Sequence, residues 1–64
     1  MKIKNIKKGE YFTLKEVSEP KENQVYIRGE YDKSSKTYSC CKFLDMNSEK
    51  LLKGDKDVFV NFTF

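Results

Sequence analysis

The sequence predicts an all-β fold, either a small five-stranded barrel of the SH3-like or OB-like kind or a bent meander. Short β-type runs recur about every ten residues, and turn residues separate them. A chain of 64 residues makes one domain, residues 1–64. Five Phe and four Tyr raise the aromatic share to 14%, which indicates a small aromatic-rich core rather than a disordered segment.

The first two predicted strands lie on either side of a polar loop. Residues 11–17 (YFTLKEV) alternate apolar and polar side chains, as a half-buried strand does. Residues 19–23 (EPKEN) form the loop, because the proline cannot donate to a sheet ladder. Residues 24–32 (QVYIRGEYD) form the second strand, with Val25 and Ile27 on one face.

A hairpin turn is predicted to join the second strand to a third. Residues 33–36 (KSSK) form the polar tip, and residues 37–43 (TYSCCKF) form the third strand. We expect Asp32 to cap this turn, because an Asp side chain accepts hydrogen bonds from backbone N–H groups two or three residues ahead. Ser34 and Ser35 then serve the turn before they serve any chemistry.

Two registers are open for this hairpin. A four-residue loop pairs Tyr31 with Tyr38, which is a stabilising aromatic cross-strand pair. One additional residue, from a longer loop or from a bulge at Gly29, pairs Ile27 with Phe43 instead. A slip of one residue turns every side chain to the opposite face. We favour the second register because it gives the cleaner core pattern.

The last third of the chain contains one segment with two possible structures and one clear strand. Residues 47–52 could form a short helical turn capped by Asn47, or residues 49–53 could form a short strand before a turn at residues 54–55. We favour the strand. Residues 58–64 (VFVNFTF) are predicted to be a half-buried final strand. The side chains on its apolar face are Val58, Val60, Phe62 and Phe64.

The residue types argue against an enzyme, a metal site and a cofactor. The chain has no His, which is the commonest general base and metal ligand. Cys40 and Cys41 are adjacent rather than spaced as a Cys-x-x-Cys pair, so we expect one thiol in the core and one at the surface. Three isolated glycines form no phosphate-binding loop.

The first residues contain no apolar run suited to a signal peptide, and no stretch is long enough for a membrane span. We therefore expect a cytoplasmic protein. A core of this size often needs support, so a weak homo-oligomer formed through an exposed sheet edge is a further expectation.

The formal net charge of +3 is unevenly placed along the chain. Residues 1–17 hold five Lys and two Glu, and residues 33–43 hold three Lys and no acid, so each block carries +3. A positive patch favours a phosphate backbone or an acidic protein surface.

Tyrosines and basic residues are interleaved on the predicted hairpin. In the favoured register four of them share the outer face and two lie at the tip. These six candidate binding residues are Tyr26, Arg28, Lys33, Lys36, Tyr38 and Lys42. Rings that stack on bases and cations that neutralise phosphates are what single-stranded nucleic acid binding needs. The same side chains also suit a protein partner, or a purely structural role in shielding the sheet.

The run VYIRGEYDKSSKTYSC and the closing FTF resemble a group of small uncharacterised proteins found in phages and mobile elements of gut bacteria. The shared motifs fall on residues 26–32, 33–40 and 62–64. No activity is assigned to that group, so no functional residue carries over. The resemblance implies an intracellular accessory protein that acts on nucleic acid or on host proteins. Inhibition of a host protein through the same six residues is the alternative function.

Overall fold

Four strands form one antiparallel sheet in the computed structural model, which describes residues 1–63. The strands are β1 (Tyr11–Thr13), β2 (Val25–Asp32), β3 (Thr37–Lys42) and β4 (Glu49–Lys53). Their order in the sheet follows the chain, so the fold is an all-β meander. Two single-turn 3-10 helices, Ile3–Asn5 and Glu22–Gln24, precede β1 and β2. Phe64, predicted to face the core, lies outside the described residues.

The predicted five-stranded barrel is wrong, because the sheet has four strands and does not close. Residues 58–64 were predicted as the fifth strand, but up to residue 63 they form no continuous ladder. Phe59 exchanges both backbone hydrogen bonds with Thr13, at 2.9 and 3.0 Å. Its neighbour Val58 turns the other way and donates to the Met1 carbonyl at 2.7 Å. This run is therefore held by two different segments instead of extending the sheet as a strand.

The first strand is shorter than predicted and ends at Thr13 rather than at residue 17. The Thr13 hydroxyl donates to the Lys15 carbonyl at 2.6 Å. Side chains of this type compete with the ladder by bonding to nearby backbone, and here the chain bends away after β1.

The segment with two possible structures is a strand, and the helical turn at residues 47–52 is absent from the described chain. Asn47 does not cap a helix. Its backbone N–H donates to the Asp45 carboxylate at 3.1 Å, within the loop that joins β3 to β4. The predicted turn at residues 54–55 is confirmed, and it closes with a 3.0 Å bond from the Lys56 N–H to the Lys53 carbonyl.

The core lies on the face of the sheet that carries Tyr26, not on the predicted face of Val25 and Ile27. Tyr26 stacks on Phe12 with ring centroids 5.7 Å apart. Val25 is also fully buried, but it lies outside the main apolar cluster, and Ile27 is only half-buried. The buried side chains of the main cluster are Ile3, Ile6, Phe12, Cys40, Leu52 and Val58.

Residues 1–6, which we call the N-terminal arm, explain why the core lies on this face. The sequence marked this segment only by its positive charge, yet Ile3 and Ile6 are buried in the cluster. The arm is tied to the far end of the chain by a 3.0 Å bond from the Ile3 N–H to the Lys56 carbonyl. Tyrosine and arginine can cover a core with their apolar parts, so alternation of polar and apolar letters did not identify the inner face.

The register of β2 on β3 matches neither predicted alternative along its whole length. Next to the turn, Tyr31 pairs with Tyr38, as a four-residue loop requires. Beyond a bulge, Ile27 pairs with Cys41 rather than with Phe43. The bulge lies where it was predicted, at Gly29, but the additional residue is on β2. The register therefore shifts in the direction opposite to the one we favoured.

At the bulge, Gly29 and Glu30 of β2 lie opposite the single residue Ser39 of β3. A Cβ atom built on Gly29 would lie 2.4 Å from the Ser39 carbonyl oxygen, well inside the contact distance. Only a residue without a side chain allows the two backbones to approach this closely.

Replacement of this glycine tests the bulge. We expect Gly29→Ala to lower the free energy of unfolding by about 1–3 kcal/mol, because the methyl group overlaps backbone atoms that cannot move independently. Urea denaturation followed by circular dichroism measures the change. Gly54→Ala is the matched control, since its Cβ would meet the Tyr38 ring at 3.3 Å, and a side chain can shift. Equal stability of the two variants would contradict the bulge geometry.

Candidate functional site

The bulge brings three of the polar and aromatic side chains of the hairpin together. Residues three apart on a regular strand point to opposite faces, but the additional residue between Arg28 and Tyr31 places both on the face of Tyr38. The Tyr31 and Tyr38 ring centroids are 4.7 Å apart. The Arg28 guanidinium carbon lies 4.3 Å from the Tyr38 ring centroid. We call this row of Arg28, Tyr38 and Tyr31 the tyrosine stack.

The Arg28 guanidinium is held by the ring and by backbone rather than by an acid. Its Nη1 donates to the Gly29 carbonyl at 2.9 Å, and its Nε is buried with no hydrogen-bond partner. A cation over a tyrosine face is attracted by about 0.5–2 kcal/mol. Glu30, the nearest acid in sequence, forms its salt bridge with Lys8 instead. The positive charge of Arg28 is thus positioned but has no carboxylate partner among residues 1–63.

The turn at the end of the hairpin carries two exposed lysines, Lys33 and Lys36, and neither forms an ion pair with a described residue. Lys36 has a φ of 57°, in the left-handed region, and closes the four-residue loop. The predicted role of Asp32 is confirmed, because its Oδ1 accepts from both the Ser34 N–H at 2.9 Å and the Ser34 hydroxyl at 2.7 Å. The acid nearest to the lysines is therefore engaged in the turn.

Hydrogen bonds from Ser34 hold the pKa of Asp32 below its usual value, first through the hydroxyl and then through the backbone N–H. A depressed carboxyl pKa stabilises the fold at pH values above the pKa of the unfolded chain. That contribution is lost as the pH falls through the lower pKa of the folded state. The turn is thus tightest when Asp32 is ionised.

The other two candidates lie farther along the same face. Tyr26 and Lys42 form a directly opposed pair beyond the bulge. Lys42 is exposed, but Tyr26 is half-buried and packs against Phe12 of the core. Tyr26, Arg28, Tyr38 and Lys42 do lie on one face of the sheet. The prediction that this is the outer face is wrong, because it is the inner face and its centre is covered by the N-terminal arm.

Two residues at this site are not among the six candidates predicted from the sequence: Tyr31, a member of the tyrosine stack, and Lys4, which lies beside it. Tyr31 is 42% exposed and continues the row of rings toward the tip. The four-residue register would have identified it, because it pairs Tyr31 with Tyr38. Lys4 of the arm is exposed and lies against Gly54. A Cβ atom added to Gly54 would lie 3.3 Å from the Tyr38 ring and 3.5 Å from the Lys4 Cβ, so Lys4 and Tyr38 are neighbours. Only the tertiary fold brings Lys4 here.

The two cysteines are both free and differ in environment. Cys40 is fully buried in the core, and burial raises the pKa of its thiol. Cys41 lies on the other face and is partly exposed. The expectation of one core thiol and one surface thiol is confirmed.

In residues 1–63 no group of three or more His, Cys, Asp or Glu side chains is arranged to hold a metal ion. Within the same residues no helix is long and apolar enough to cross a membrane. Comparisons with models of protein families, with curated proteins and with solved structures find no match. The resemblance to phage and mobile-element proteins therefore stays a prediction.

The hydrogen bonds of the turn predict a shift in titration. We expect Ser34→Ala to raise the pKa of Asp32 toward its ordinary value of 3.8, because the variant removes the hydroxyl donor. Its fold should then lose the Asp32 contribution at a higher pH than the wild type does. Titration of the Asp32 carboxyl carbon by NMR measures the pKa. The pKa of Glu30, which is lowered by Lys8, is the internal control and should not change. An unchanged Asp32 pKa would contradict the bonding described.

Proposed function

We propose that this protein is a non-enzymatic binding protein that holds single-stranded nucleic acid along the tyrosine stack and its neighbouring lysines. The observation that carries the proposal is the juxtaposition of rings with cations that lack acid partners among residues 1–63. Tyr31 is partly exposed, and Arg28 lies over the next ring, Tyr38. Stacking on aromatic rings together with contacts to phosphates is the recurring mode of sequence-tolerant single-strand recognition.

The roles of the side chains follow from their positions. A base would stack on Tyr31, the most exposed ring of the row. Lys33 and Lys36 at the tip would neutralise the adjoining phosphates. Lys4 would contact the nucleic acid backbone on the other side of Tyr38. Tyr38 is half-buried and supports the row rather than offering a ring of its own.

The remaining candidates have a secondary part in this proposal. Lys42 is exposed on the same face and would extend the positive path past the arm. Tyr26 is engaged with Phe12, so we assign it to the support of the core beneath the path. Arg28 contributes its charge while its ring contact fixes its orientation.

The lysines at the tip predict a localised electrostatic effect. Each phosphate contact in a single strand contributes about 0.7 to the slope of log K against log salt. The variant Lys33→Gln with Lys36→Gln should lose affinity at low salt and flatten that slope by about 1 to 1.5. Fluorescence anisotropy of a labelled single-stranded oligonucleotide, measured across a salt series, gives both quantities.

The matched control is Lys15→Gln with Lys21→Gln, which removes the same charge from two exposed positions in the segment that joins β1 to β2. We expect it to bind nearly as the wild type does. Equal losses in the two double variants would mean that net charge alone drives binding. Absence of binding by the wild type at low salt would end the proposal.

The exposed ring predicts a separate, salt-insensitive loss. Tyr31→Ala should reduce affinity by about 1–3 kcal/mol per stacked base. Tyr31→Phe keeps the ring and should bind nearly as the wild type does. The ring also pairs with Tyr38, so thermal unfolding of both variants must show that they are folded at the temperature of the binding measurement. A Tyr31→Phe variant that binds as weakly as Tyr31→Ala would exclude stacking.

A protein partner is the competing outcome, since exposed Tyr and Arg also anchor protein interfaces. Capture from a nuclease-treated lysate separates the two. A partner retained after nuclease treatment and lost with Tyr31→Ala would assign the same surface to a protein. A partner lost with nuclease treatment alone supports nucleic acid.

A further inference from the structure

Strand β4 is an edge of the sheet. It pairs with β3 along its whole length, from Glu49 opposite Cys41 to Lys53 opposite Thr37. On its other side no described segment forms a bridge or a backbone hydrogen bond with Glu49 or Leu51. An open edge offers unpaired N–H and C=O groups to another strand.

Alternate residues of β4 point their backbone N–H and C=O groups away from β3. The Lys42 N–H donates to the Ser48 carbonyl at 3.3 Å, at the start of the β3–β4 ladder. Bonded and non-bonded pairs alternate along an antiparallel ladder, so Lys50 and Leu52 also bond to β3. Glu49, Leu51 and Lys53 therefore direct their backbone groups away from β3, and of these the Lys53 carbonyl already accepts from the Lys56 N–H in the turn. Their side chains share one face of the sheet, opposite the face of Leu52.

We propose that a second copy of this chain pairs with β4 in antiparallel orientation about a two-fold axis at Leu51. In this register Leu51 lies opposite the partner's Leu51, and Glu49 lies opposite the partner's Lys53. The outward N–H of each Leu51 then donates to the C=O of the other Leu51. This reciprocal pair of hydrogen bonds is the isologous pairing that a two-fold axis requires.

The side chains of β4 are complementary to themselves in this register. The pattern Glu-x-Leu-x-Lys places an acid and a base at equal distances on either side of an apolar centre. Leu51 is 56% exposed in the middle of this edge strand, and an exposed apolar side chain on a sheet edge favours pairing with another strand. Pairing covers it, and an ion pair forms on each side. Directly opposed charges of opposite sign stabilise a strand pair, and like charges destabilise it.

Other occupants of the edge fit less well. A shift of two residues in either direction would place Leu51 opposite a charged side chain and would break both Glu49–Lys53 pairs. Glu49 already accepts from the Ser39 hydroxyl through Oε2 at 2.7 Å, which orients the carboxylate and leaves Oε1 for a lysine. The partner that satisfies this pattern is a strand with the same sequence running in the opposite direction.

Exchange of the two charges tests the register. Sedimentation equilibrium from micromolar to millimolar protein should show a monomer–dimer equilibrium for the wild type. Glu49→Lys alone, or Lys53→Glu alone, places like charges opposite each other on both sides of the axis. Each should raise the dissociation constant by about tenfold or more. The double exchange, Glu49→Lys with Lys53→Glu, should restore dimerisation to near the wild-type level.

Mixing the two single variants gives the decisive result. A Glu49→Lys chain and a Lys53→Glu chain are complementary to each other on both sides of the axis. We expect the mixture to dimerise while each variant alone stays largely monomeric. Glu19→Lys is the control and should dimerise as the wild type does. It reverses an exposed charge in the segment that joins β1 to β2, and β1 is the opposite edge of the sheet from β4.

A second variant removes the edge N–H without removing a bond to β3. Leu51→Pro lacks the outward donor, and proline is tolerated where a strand's N–H faces away from its neighbour. It should keep the β-sheet circular dichroism spectrum and lose the dimer. A wild type that is monomeric at all concentrations, or a dimer unaffected by the single charge exchanges, would overturn the proposal. A dimer that the complementary mixture fails to restore would also overturn it.

Discussion

The close approach of Gly29 to the Ser39 carbonyl is the constraint on which the sheet depends. β2 accommodates an additional residue at this point. It can do so because Gly29 has no side chain, and none would fit between the two backbones. The additional residue exchanges the two faces of the strand. Before the additional residue, Tyr26 packs against Phe12 in the core. After it, Tyr31 lies on the same face as Tyr26 and contacts Tyr38. On a regular strand the core tyrosine and the exposed tyrosine would lie on opposite faces.

The core is completed by segments that are not strands. The N-terminal arm supplies Ile3 and Ile6, and the run after β4 supplies Val58. These segments bond to each other and to β1, so the apolar face is covered without closure of the sheet into a barrel. The consequence of this solution is the open edge of β4. A protein that covered its core by closing the sheet would have no such edge.

The sequence predicted the elements better than their arrangement. The bounds of β2, β3 and β4, the turn capped by Asp32 and the position of the bulge depend on local chemistry, which neighbouring residues determine. The number of strands and the inner face depend on contacts between distant residues. The arm looked like a charged tail because it begins a block, residues 1–17, that holds five Lys and two Glu. Nothing local shows which surface its two isoleucines will cover. Tyr31 could have been predicted, because its pairing with Tyr38 follows from the length of the local turn. Lys4 could not, because only the tertiary fold brings it next to Gly54.

The bonds between the two ends of the described chain have a consequence for the order of folding. The Met1 amine donates to the Val58 carbonyl across a separation of 57 residues. The β2–β3 hairpin is local, and hairpins form in about 1–10 μs, whereas contacts between distant residues form later. During synthesis on the ribosome, the hairpin can therefore assemble long before residue 58 has emerged. Until then Phe12 and Tyr26 lack their cover, and the nascent chain presents an aromatic surface that the finished protein conceals.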